Sequence, residues 1–249
     1  MTFSKKLQQG TFPIGILLTL PAPEIVEIAA AAGYDWVFID REHGVISHQD
    51  TLRMLQAAPE GLSTLVRIPS ASEEHVKQTL DAGCDGIIVP QVNSPERAEK
   101  LVQWAKYPPL GMRGVGAGRA HQYGLTFEEY VSTANERTSL IIQVEHIRAA
   151  RSVNDILAVA GIDGILIGPY DLSSSMGKMG QLQDPEVVET LQRVKEAANQ
   201  YLVPWGIFTQ QPETVSREQQ YGASFMAVGT DTGALINQLQ AVLRQCKLP

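Results

Sequence analysis

Strand-like apolar runs alternate with helical segments eight times along this chain, and this alternation restricts the possible folds more than any other feature. The apolar runs cover residues 13–20, 36–40, 64–68, 86–92, 140–145, 164–168, 203–208 and 224–229. Eight consecutive βα units without a break in composition predict an α/β fold, a single (β/α)8 TIM barrel over residues 1–249. A doubly wound sheet is the alternative, because periodicity does not show whether a sheet closes.

The composition excludes several classes of partner. The formal net charge is -7 and no Lys/Arg-rich block occurs, so nucleic acid and anionic membranes are disfavoured. No apolar segment approaches the ~20 residues needed to cross a bilayer, and the amino terminus lacks the apolar core of a signal peptide. The two cysteines, Cys84 and Cys246, are far apart and lack metal-type spacing. We therefore expect a cytoplasmic protein that binds small molecules.

Polar and titratable residues are concentrated where predicted strands end, which is where barrels and open α/β sheets carry their sites. They are Asp40, Glu42, His43, Arg67, Gln91, Gln143, Glu145 and Asp171. Glu145 and Asp171 follow strands that can be neighbours about 4.8 Å apart, so both carboxylates can reach one hard cation. The alternative for any one of these residues is a helix cap or an ordinary hydrogen bond.

The positions of lysine and cysteine disfavour covalent catalysis. A Schiff-base lysine is generally desolvated on a barrel strand, whereas the lysines at 5, 6, 77, 100, 106, 178, 195 and 247 lie outside the predicted strands. Neither cysteine lies at a strand end. The remaining option is an ion held by oxygen ligands, with Arg67 as a fixed cation and His43 as a titratable group. Such a set can polarise a carbonyl and hold an enolate.

A glycine-containing segment after the eighth strand has two interpretations. The sequence A-V-G-T-D-T-G, residues 227–233, supplies glycines where barrels often bind phosphate, which would suit a phosphate-ligand-binding barrel or an isomerase. In the other interpretation, Asp231 or Thr232 simply caps the last helix. Metal dependence would separate an isomerase of this kind from enolate chemistry.

Five motifs occur in order along the chain: G-Y-D-W-V-F-I-D-R-E-H, L-V-R-I-P, Y-P-P-L-G-M-R-G-V-G, Q-V-E and G-I-D-G-I-L-I-G-P-Y-D-L-S. Together they resemble the metal-dependent (class II) pyruvate aldolases of the 4-hydroxy-2-oxoheptanedioate and 2-dehydro-3-deoxyglucarate aldolase type, within the phosphoenolpyruvate/pyruvate barrel superfamily. The resemblance covers nearly the whole chain. It implies a carbon-carbon lyase that reversibly cleaves 4-hydroxy-2-oxo acids to pyruvate and an aldehyde through a metal-bound pyruvate enolate.

The resemblance also implies how the cofactor and the 2-oxo acid are bound. Glu145 and Asp171 would be the ligands of a divalent cation, Mg²⁺, Mn²⁺ or Co²⁺, with waters and the 2-oxo acid completing its coordination. Gln143 would support the substrate or a water on the metal. The turn at Gly168 and Pro169 would hold the substrate carboxylate, although Pro169 has no N–H to donate.

Further roles follow from the same resemblance. Arg67 would stabilise negative charge on the enolate oxygen, and His43 with Asp40 would form the dyad that moves the proton of the aldol hydroxyl. Asp81 corresponds to an acidic residue that family members project into a neighbouring subunit's site, and it is equally explained as a surface aspartate. Glu42 would orient groups around the metal.

The chain departs from the commonest family pattern beside the E-H pair. Arg41 is a large cation between two carboxylates, and Gly44-Val45 stand where many members place a proline. These changes are expected to alter the aldehyde side of the pocket, so the substrate is open. Oxaloacetate decarboxylation and a citrate-forming condensation are alternatives, because both use the same enolate.

Two expectations concern subunit contacts. Arg119, His121 and Tyr123, in the glycine-rich connection at 108–124, are candidates for binding the distal group of the aldehyde, and Arg119 is the one we select. The alternative is a polar surface loop that binds nothing. The resemblance further implies a homo-oligomer, with a hexamer as one expected state, in which the last helix is exchanged between subunits.

Overall fold

Eight parallel strands close into a barrel in the computed structural model of this chain, which describes residues 1–247. Each strand pairs with the next, and the last pairs with the first. The strands are β1 (Ile14–Leu18), β2 (Trp36–Asp40), β3 (Ser63–Arg67), β4 (Gly86–Val89), β5 (Ser139–Val144), β6 (Gly164–Ile167), β7 (Trp205–Thr209) and β8 (Phe225–Thr230). The barrel prediction is confirmed, and the doubly wound alternative is wrong. The predicted domain range ends at 249, so its last two positions lie outside the described residues.

Helices surround the barrel and connect its strands. They are α1 (Phe3–Gln8), α2 (Pro23–Ala31), α3 (His48–Ala57), α4 (Glu73–Asp81), α5 (Pro95–Ala105), α6 (Phe127–Arg137), α7 (Ile147–Arg151), α8 (Val153–Leu157), α9 (Pro169–Ser175), α10 (Pro185–Gln200), α11 (Val215–Gln220) and α12 (Asp231–Cys246). Local capping sets several of their starts: Ser47, Ser72 and Ser94 each accept a hydrogen bond from a backbone amide in the first turn.

The strands are buried on both faces, as expected for a parallel sheet covered by helices. One apolar cluster lies between the strands and the helices, and a second one, which includes Trp36, fills the barrel interior. Gly15 makes room for this indole, because a Cβ at that position would lie 2.3 Å from a Trp36 ring atom. The interior is therefore a packed core, and space for a ligand remains only at a barrel end.

The amino-terminal helix α1 closes the end of the barrel where the strands begin. Phe3 is fully buried in the interior cluster and packs edge-on against Trp36 and Phe225, with ring centroids 5.2 and 5.3 Å away. The Lys6 ammonium donates to the backbone carbonyl of Gly61 at 2.8 Å. This helix is not predicted from the sequence, because its turn and a half carries too little periodicity. The opposite end is left for the site.

Three segments differ in detail from the predictions. The loop predicted after the sixth strand begins with helix α9, whose first residue is Pro169, a position that favours proline because its missing N–H would be unpaired there. The helical segment between the fifth and sixth strands is split into α7 and α8. The glycine-rich connection at 108–124 is irregular until a short 3-10 segment, Arg119–Gly124. The first difference matters most, because it moves Asp171 from a strand end to a helix.

The last helix, α12, is mostly exposed along its length. Its large apolar side chains are each about half accessible: Leu235 52%, Ile236 51%, Leu239 57%, Val242 48% and Leu243 52%. A soluble helix normally buries such a stripe, so this one offers a surface for another protein chain. Within residues 1–247, none of the helices is both long enough and apolar enough to span a bilayer.

Candidate active site

A cavity of about 410 Å³ lies at the end of the barrel where the strands finish. Its floor consists of interior side chains that include Leu17, Phe38 and Leu166. The predicted site residues on its wall are His43, Arg67, Gln143, Gly168, Pro169 and Asp171. The fold therefore gathers six of the predicted residues, from four different strand ends, around one space.

Arg67 and Asp40 form a bidentate ion pair between neighbouring strands. They are register partners on β2 and β3, and Arg67 Nε and Nη2 each donate to one Asp40 carboxylate oxygen at 2.8 Å. Both side chains are buried. Burial by itself would raise the pKa of Asp40, but the hydrogen bonds and charge of Arg67 outweigh it, and the pKa lies below its usual value. The carboxylate therefore stays ionised and fixes the guanidinium.

The third guanidinium nitrogen of Arg67 points to other site residues. Arg67 Nη1 lies 3.3 Å from Gln143 Oε1 and 3.3 Å from Glu42 Oε2. The guanidinium also lies over the Phe38 ring, 5.1 Å from its centroid. These contacts leave Arg67 little freedom, which suits a group that must hold charge in one place.

His43 lies at the mouth of the cavity with 69% of its side chain exposed. Its Nε2 is 3.8 Å from Glu42 Oε2, whereas its contact with Asp40 is through its own backbone N–H, at 3.4 Å. The side chains of the predicted dyad, His43 and Asp40, are therefore not brought together, because Arg67 occupies the Asp40 carboxylate. Proton transfer by His43 stays a prediction.

Glu145 is buried directly after β5, with 2% of its surface exposed. It accepts a hydrogen bond from the Gln91 backbone amide at 2.8 Å and another from the Gln143 side-chain amide. The pKa of Glu145 is raised to about 7, mainly by burial and also by the nearby charges of Glu42 and Asp171, while the Gln91 bond opposes the increase. A cation next to this carboxylate would stabilise its ionised form.

Asp171 reaches the site from α9. It lies in the first turn of that helix, it is exposed, and its charge still raises the pKa of both Glu145 and Glu42. Gly168 permits the close approach of α9 to β5, because a Cβ there would lie 2.9 Å from the Glu145 Cβ. Pro169 then starts the helix. The two predicted metal ligands are near each other, although one of them stands on a helix.

The donor set fits a hard divalent cation. Glu42 Oε2 is buried and receives no hydrogen bond within the part of the chain that the structure describes, and burial also raises the pKa of Glu42. Among residues 1–247, no three His, Cys, Asp or Glu side chains form a ready coordination group. Glu145 and Asp171 as the two protein ligands of such an ion, with positions left open for substrate and water, stay a prediction.

Asp81 and Arg119 lie away from the cavity wall of their own chain. Arg113 Nη2 donates to Asp81 Oδ1 at 2.7 Å, so this carboxylate holds a buried arginine. Arg119 donates to the backbone carbonyls of Ala82 at 3.0 Å and Leu55 at 3.2 Å. Both residues thus have local structural partners, and a role in a neighbouring subunit's site stays a prediction.

His121 and Tyr123 also belong to the surface segment at 119–124. His121 is buried and bonds the segment together, with its Nε2 2.6 Å from the Gly116 carbonyl and its Nδ1 accepting from the Gly124 amide at 3.0 Å. Tyr123 is 69% exposed. Neither residue lines the cavity of its own chain.

The unusual residues around the E-H pair affect the backbone more than the cavity. Arg41 turns toward α4 and donates to Thr79 Oγ1 at 3.2 Å, so it does not line the cavity and cannot reshape it directly. Gly44 is packed against the preceding turn, because a Cβ there would lie 2.3 Å from the Asp40 carbonyl oxygen. A glycine at 44 therefore keeps the segment from Asp40 to His43 tight.

The start of α12 does not offer a phosphate site. Thr230 caps the helix by accepting from the Gly233 amide at 2.9 Å. Asp231 is buried, and its carboxylate accepts from the backbone amides of Thr19 and Leu20, each at 2.9 Å. A buried negative charge at this point would repel phosphate. The helix is capped, but by Thr230, so the prediction that Asp231 or Thr232 is the cap was wrong.

Several residues that line the cavity were not predicted from the sequence. They are Leu182, Phe208, Thr209, Gln210 and Gln211. Four of them are at or just after the end of β7. The rule that strand ends carry the site would have found them, had it been applied to the seventh strand as it was to the second through sixth.

The chain matches the family model described as HpcH/HpaI aldolase/citrate lyase over residues 14–238. The 2-keto-3-deoxy-L-rhamnonate aldolase of Escherichia coli (strain K12) is 38% identical over 236 residues, covering 92% of this chain and 87% of that protein. The solved HpcH/HpaI aldolase from Desulfitobacterium hafniense DCB-2 superposes with a TM-score of 0.92 at 34% identity, covering 100% and 98% of the two chains. Citrate synthase SbnG superposes with a TM-score of 0.90 at 29% identity, covering 98% and 97%.

Proposed function

This chain belongs to the HpcH/HpaI aldolase/citrate lyase family, and on that premise we propose that its barrel reversibly cleaves 4-hydroxy-2-oxo acids into pyruvate and an aldehyde. The enzyme is an aldolase and hence a carbon-carbon lyase. One observation carries the proposed reaction: Glu145, a buried carboxylate with a raised pKa, is close to the fixed guanidinium of Arg67 and bonds to Gln143 on the wall of the cavity that His43 borders. This combination suits a reaction that develops an enolate.

Glu145 and Asp171 are the proposed ligands of a divalent cation, with Mg²⁺, Mn²⁺ and Co²⁺ as the candidates. Two observations support this proposal. Both residues offer carboxylate oxygens, and their negative charges repel each other, a repulsion that a bound cation would remove. A bound divalent cation supplies a Lewis acid that polarises the substrate ketone.

Arg67 holds the oxygen that becomes negative when the carbon-carbon bond breaks. Asp40 keeps the guanidinium in place before substrate arrives, so this donor need not reorganise during the reaction. Gln143, which bonds to both Arg67 and the carboxylate after β5, supports the same end of the substrate. The turn at Gly168 and Pro169 borders the cavity and is the proposed place for the substrate carboxylate.

His43 moves the proton of the substrate's hydroxyl group. In cleavage, the imidazole accepts that proton, the hydroxyl carbon becomes the aldehyde carbonyl, and the electron pair of the broken carbon-carbon bond passes into the enolate of pyruvate. Protonation of the enolate carbon then gives pyruvate. In synthesis, His43 returns the proton to the new alkoxide. Its exposed position at the cavity mouth suits the aldehyde end of the substrate.

A Schiff-base mechanism has no support from the lysines. None of the residues that line the cavity is a lysine. Three lysines are buried, and each is held elsewhere: Lys106 by Asp163 at 2.6 Å, Lys195 by Glu218 at 2.5 Å, and Lys6 by the Gly61 carbonyl at 2.8 Å. None of these three ammonium groups is therefore in a position to attack a ketone bound in the cavity.

A 2-keto-3-deoxy sugar acid is the first substrate class to test, since the E. coli relative is named for one such compound. A citrate-forming condensation is the second candidate, because citrate synthase SbnG shares the fold with a TM-score of 0.90. Oxaloacetate decarboxylation is related chemistry that the same enolate-stabilising groups can perform. All three reactions would use the same two residues, Arg67 and Glu145.

The proposed assembly is a homo-oligomer, with a hexamer as the expected state. Its support is the exposed apolar stripe of α12, which suits exchange of this helix between subunits. In such an assembly Asp81 and Arg119 would approach a neighbour's cavity. The proposed location is the cytoplasm, which agrees with two unpaired cysteines, one buried and one exposed.

The test is pyruvate release from 2-keto-3-deoxy sugar acids by protein treated with a chelator. We expect chelation to abolish release and added Mg²⁺, Mn²⁺ or Co²⁺ to restore it. Activity that chelation leaves unchanged would contradict the proposed cation site. Borohydride trapping of a pyruvate adduct would instead establish a Schiff base, and citrate formation from oxaloacetate without aldol cleavage would favour the second candidate.

A further inference from the structure

We propose that Gln91 is the positioning residue of the Glu145 carboxylate, and that it acts through its backbone amide, which a left-handed backbone conformation turns toward the site. The inference rests on the proposed function, since Glu145 is a proposed ligand of the cation. It gives a role to a strand-end residue whose side chain is exposed and does not line the cavity.

The chain leaves the barrel sheet just before this residue. Strand β4 ends at Val89, which is paired with Ile142 of β5, and the next residue is Pro90, which has no N–H and cannot donate to either neighbouring strand. The amide that follows, that of Gln91, donates to a side chain instead of a backbone carbonyl: it lies 2.8 Å from Glu145 Oε1.

Gln91 has a left-handed backbone, with φ at 56°. This conformation is unfavourable for a residue that carries a Cβ. The side chain does not account for it, because it is exposed and its contact with the Asn93 amide, 3.4 Å, is long for a hydrogen bond. Such a backbone persists where the surroundings impose it. Here they are the bond to Glu145 and the buried neighbours Pro90 and Val92.

Other left-handed residues of this chain differ from Gln91 in what their amides contact. Within residues 1–247, the remaining ones that are not glycine are Gln122, Tyr123 and Leu202, which are exposed and do not line the cavity. The Leu202 amide donates to the Asn199 carbonyl at 3.3 Å in the turn after α10. Leu202 therefore has the backbone of Gln91, also with φ at 56°, without its contact with a buried carboxylate.

The Gln91 amide fixes the direction of a carboxylate that has little other support. Glu145 Oε1 accepts from Gln91, and Oε2 accepts from the side-chain amide of Gln143, which also contacts Arg67. A carboxylate has about four acceptor positions, so one donor on each oxygen leaves a position on each oxygen for a cation. The Gln143 donor is on a side chain that can rotate, whereas the Gln91 donor belongs to the backbone.

The first test measures the binding of Mn²⁺ alone by calorimetry. Gln91→Val keeps the N–H, but its branched side chain disfavours the left-handed backbone, so the amide should turn away from Glu145. We expect the Mn²⁺ affinity of Q91V to fall about tenfold, as when a group that orients a metal ligand is lost. Gln91→Gly permits the same backbone without a side chain and should restore the affinity to within about twofold of wild type.

Leu202→Val is the matched control, because it makes the same backbone unfavourable away from the cavity. Without metal, Q91V and L202V should each melt about 2–4 °C below the wild type. Only Q91V should also lose Mn²⁺ affinity. The proposal is overturned if Q91V binds Mn²⁺ as tightly as the wild type does, or if L202V loses as much affinity as Q91V.

A second measurement needs no metal. In protein labelled with nitrogen-15 glutamine, the backbone amide peak of Gln91 is identified by its absence from Q91G. We expect Glu145→Gln to move this peak upfield in the proton dimension, because a neutral acceptor forms a weaker hydrogen bond than a carboxylate. A wild type that does not bind Mn²⁺ contradicts the proposed function, whereas a Gln91 peak that E145Q leaves in place overturns the positioning role.

Discussion

Arg67 and Asp40 are register partners on adjacent strands and are joined by two parallel hydrogen bonds of 2.8 Å. This pair connects β2 and β3 at the rim where the cavity opens. The pairing fixes the orientation of a guanidinium that also touches Glu42 and Gln143. Its geometry, more than its charge, is what the site requires.

Replacement of Arg67 by lysine should therefore be severe although the charge is kept. A lysine ammonium is a point donor and cannot reproduce the planar two-point contact with Asp40. We expect kcat/KM for aldol cleavage to fall about 100-fold, comparable with losing one preorganised donor to a developing oxyanion. Arg193→Lys on the exposed side of α10 is the control, and steady-state kinetics provide the measurement. A loss below about threefold would mean that charge alone suffices.

Glu145→Gln should stabilise the metal-free protein at alkaline pH. The folded-state pKa of Glu145 is raised from 4.5 to about 7, so the folded protein binds this proton more tightly than the unfolded chain does. The contribution of this group to the free energy of unfolding is fully present below pH 4.5 and is lost as the pH rises through about 7. At pH 8, E145Q should be more stable than wild type by about 3 kcal/mol, at ~1.4 kcal/mol for each pH unit between the two pKa values. Urea unfolding with chelator at pH 5 and pH 8 measures this, and lower stability of E145Q at pH 8 would contradict it.

Added Mn²⁺ should raise the melting temperature of the wild type in the absence of substrate. Because the cation competes with the proton on Glu145, the increase should be larger at pH 8 than at pH 6. Asp171→Asn should remove most of the increase, whereas Asp155→Asn on the exposed face of α8 should leave it intact. Differential scanning fluorimetry gives the comparison. An unchanged increase in D171N would remove Asp171 from the proposed ligand set.

Leu239→Glu should weaken the proposed oligomer. Leu239 is in the middle of the exposed stripe of α12, and a charge buried there in a subunit contact is unfavourable. Asn237→Glu adds the same charge on the opposite face of the same helix and serves as the control. Light scattering during size exclusion should show a lower mass for L239E at micromolar concentration. Equal masses for both variants and the wild type would show that this stripe is not a subunit interface.

Much of the barrel is predictable because its signals are local. For example, β5 is a short apolar run followed directly by a carboxylate, and α5 begins at a Ser-Pro pair. Helix α9 could not be predicted from its pattern, because it spans only seven residues and starts inside the G-P-Y-D motif. Asp171 was therefore selected correctly as a cavity residue but assigned to the wrong type of element.

The sequence by itself determined the eight βα units, the order of the strand-end residues and the absence of a lysine from the strands, because these depend on spacing and residue type. Only the tertiary structure decided that the sheet closes and which groups pair. The register between β2 and β3 places Arg67 opposite Asp40, and the side chain of Glu42 lies next to that of His43. Burial decides that the Glu145 pKa rises, and the direction of α12 leaves its apolar stripe exposed. Pairing and burial depend on contacts between distant segments, which local sequence patterns do not encode.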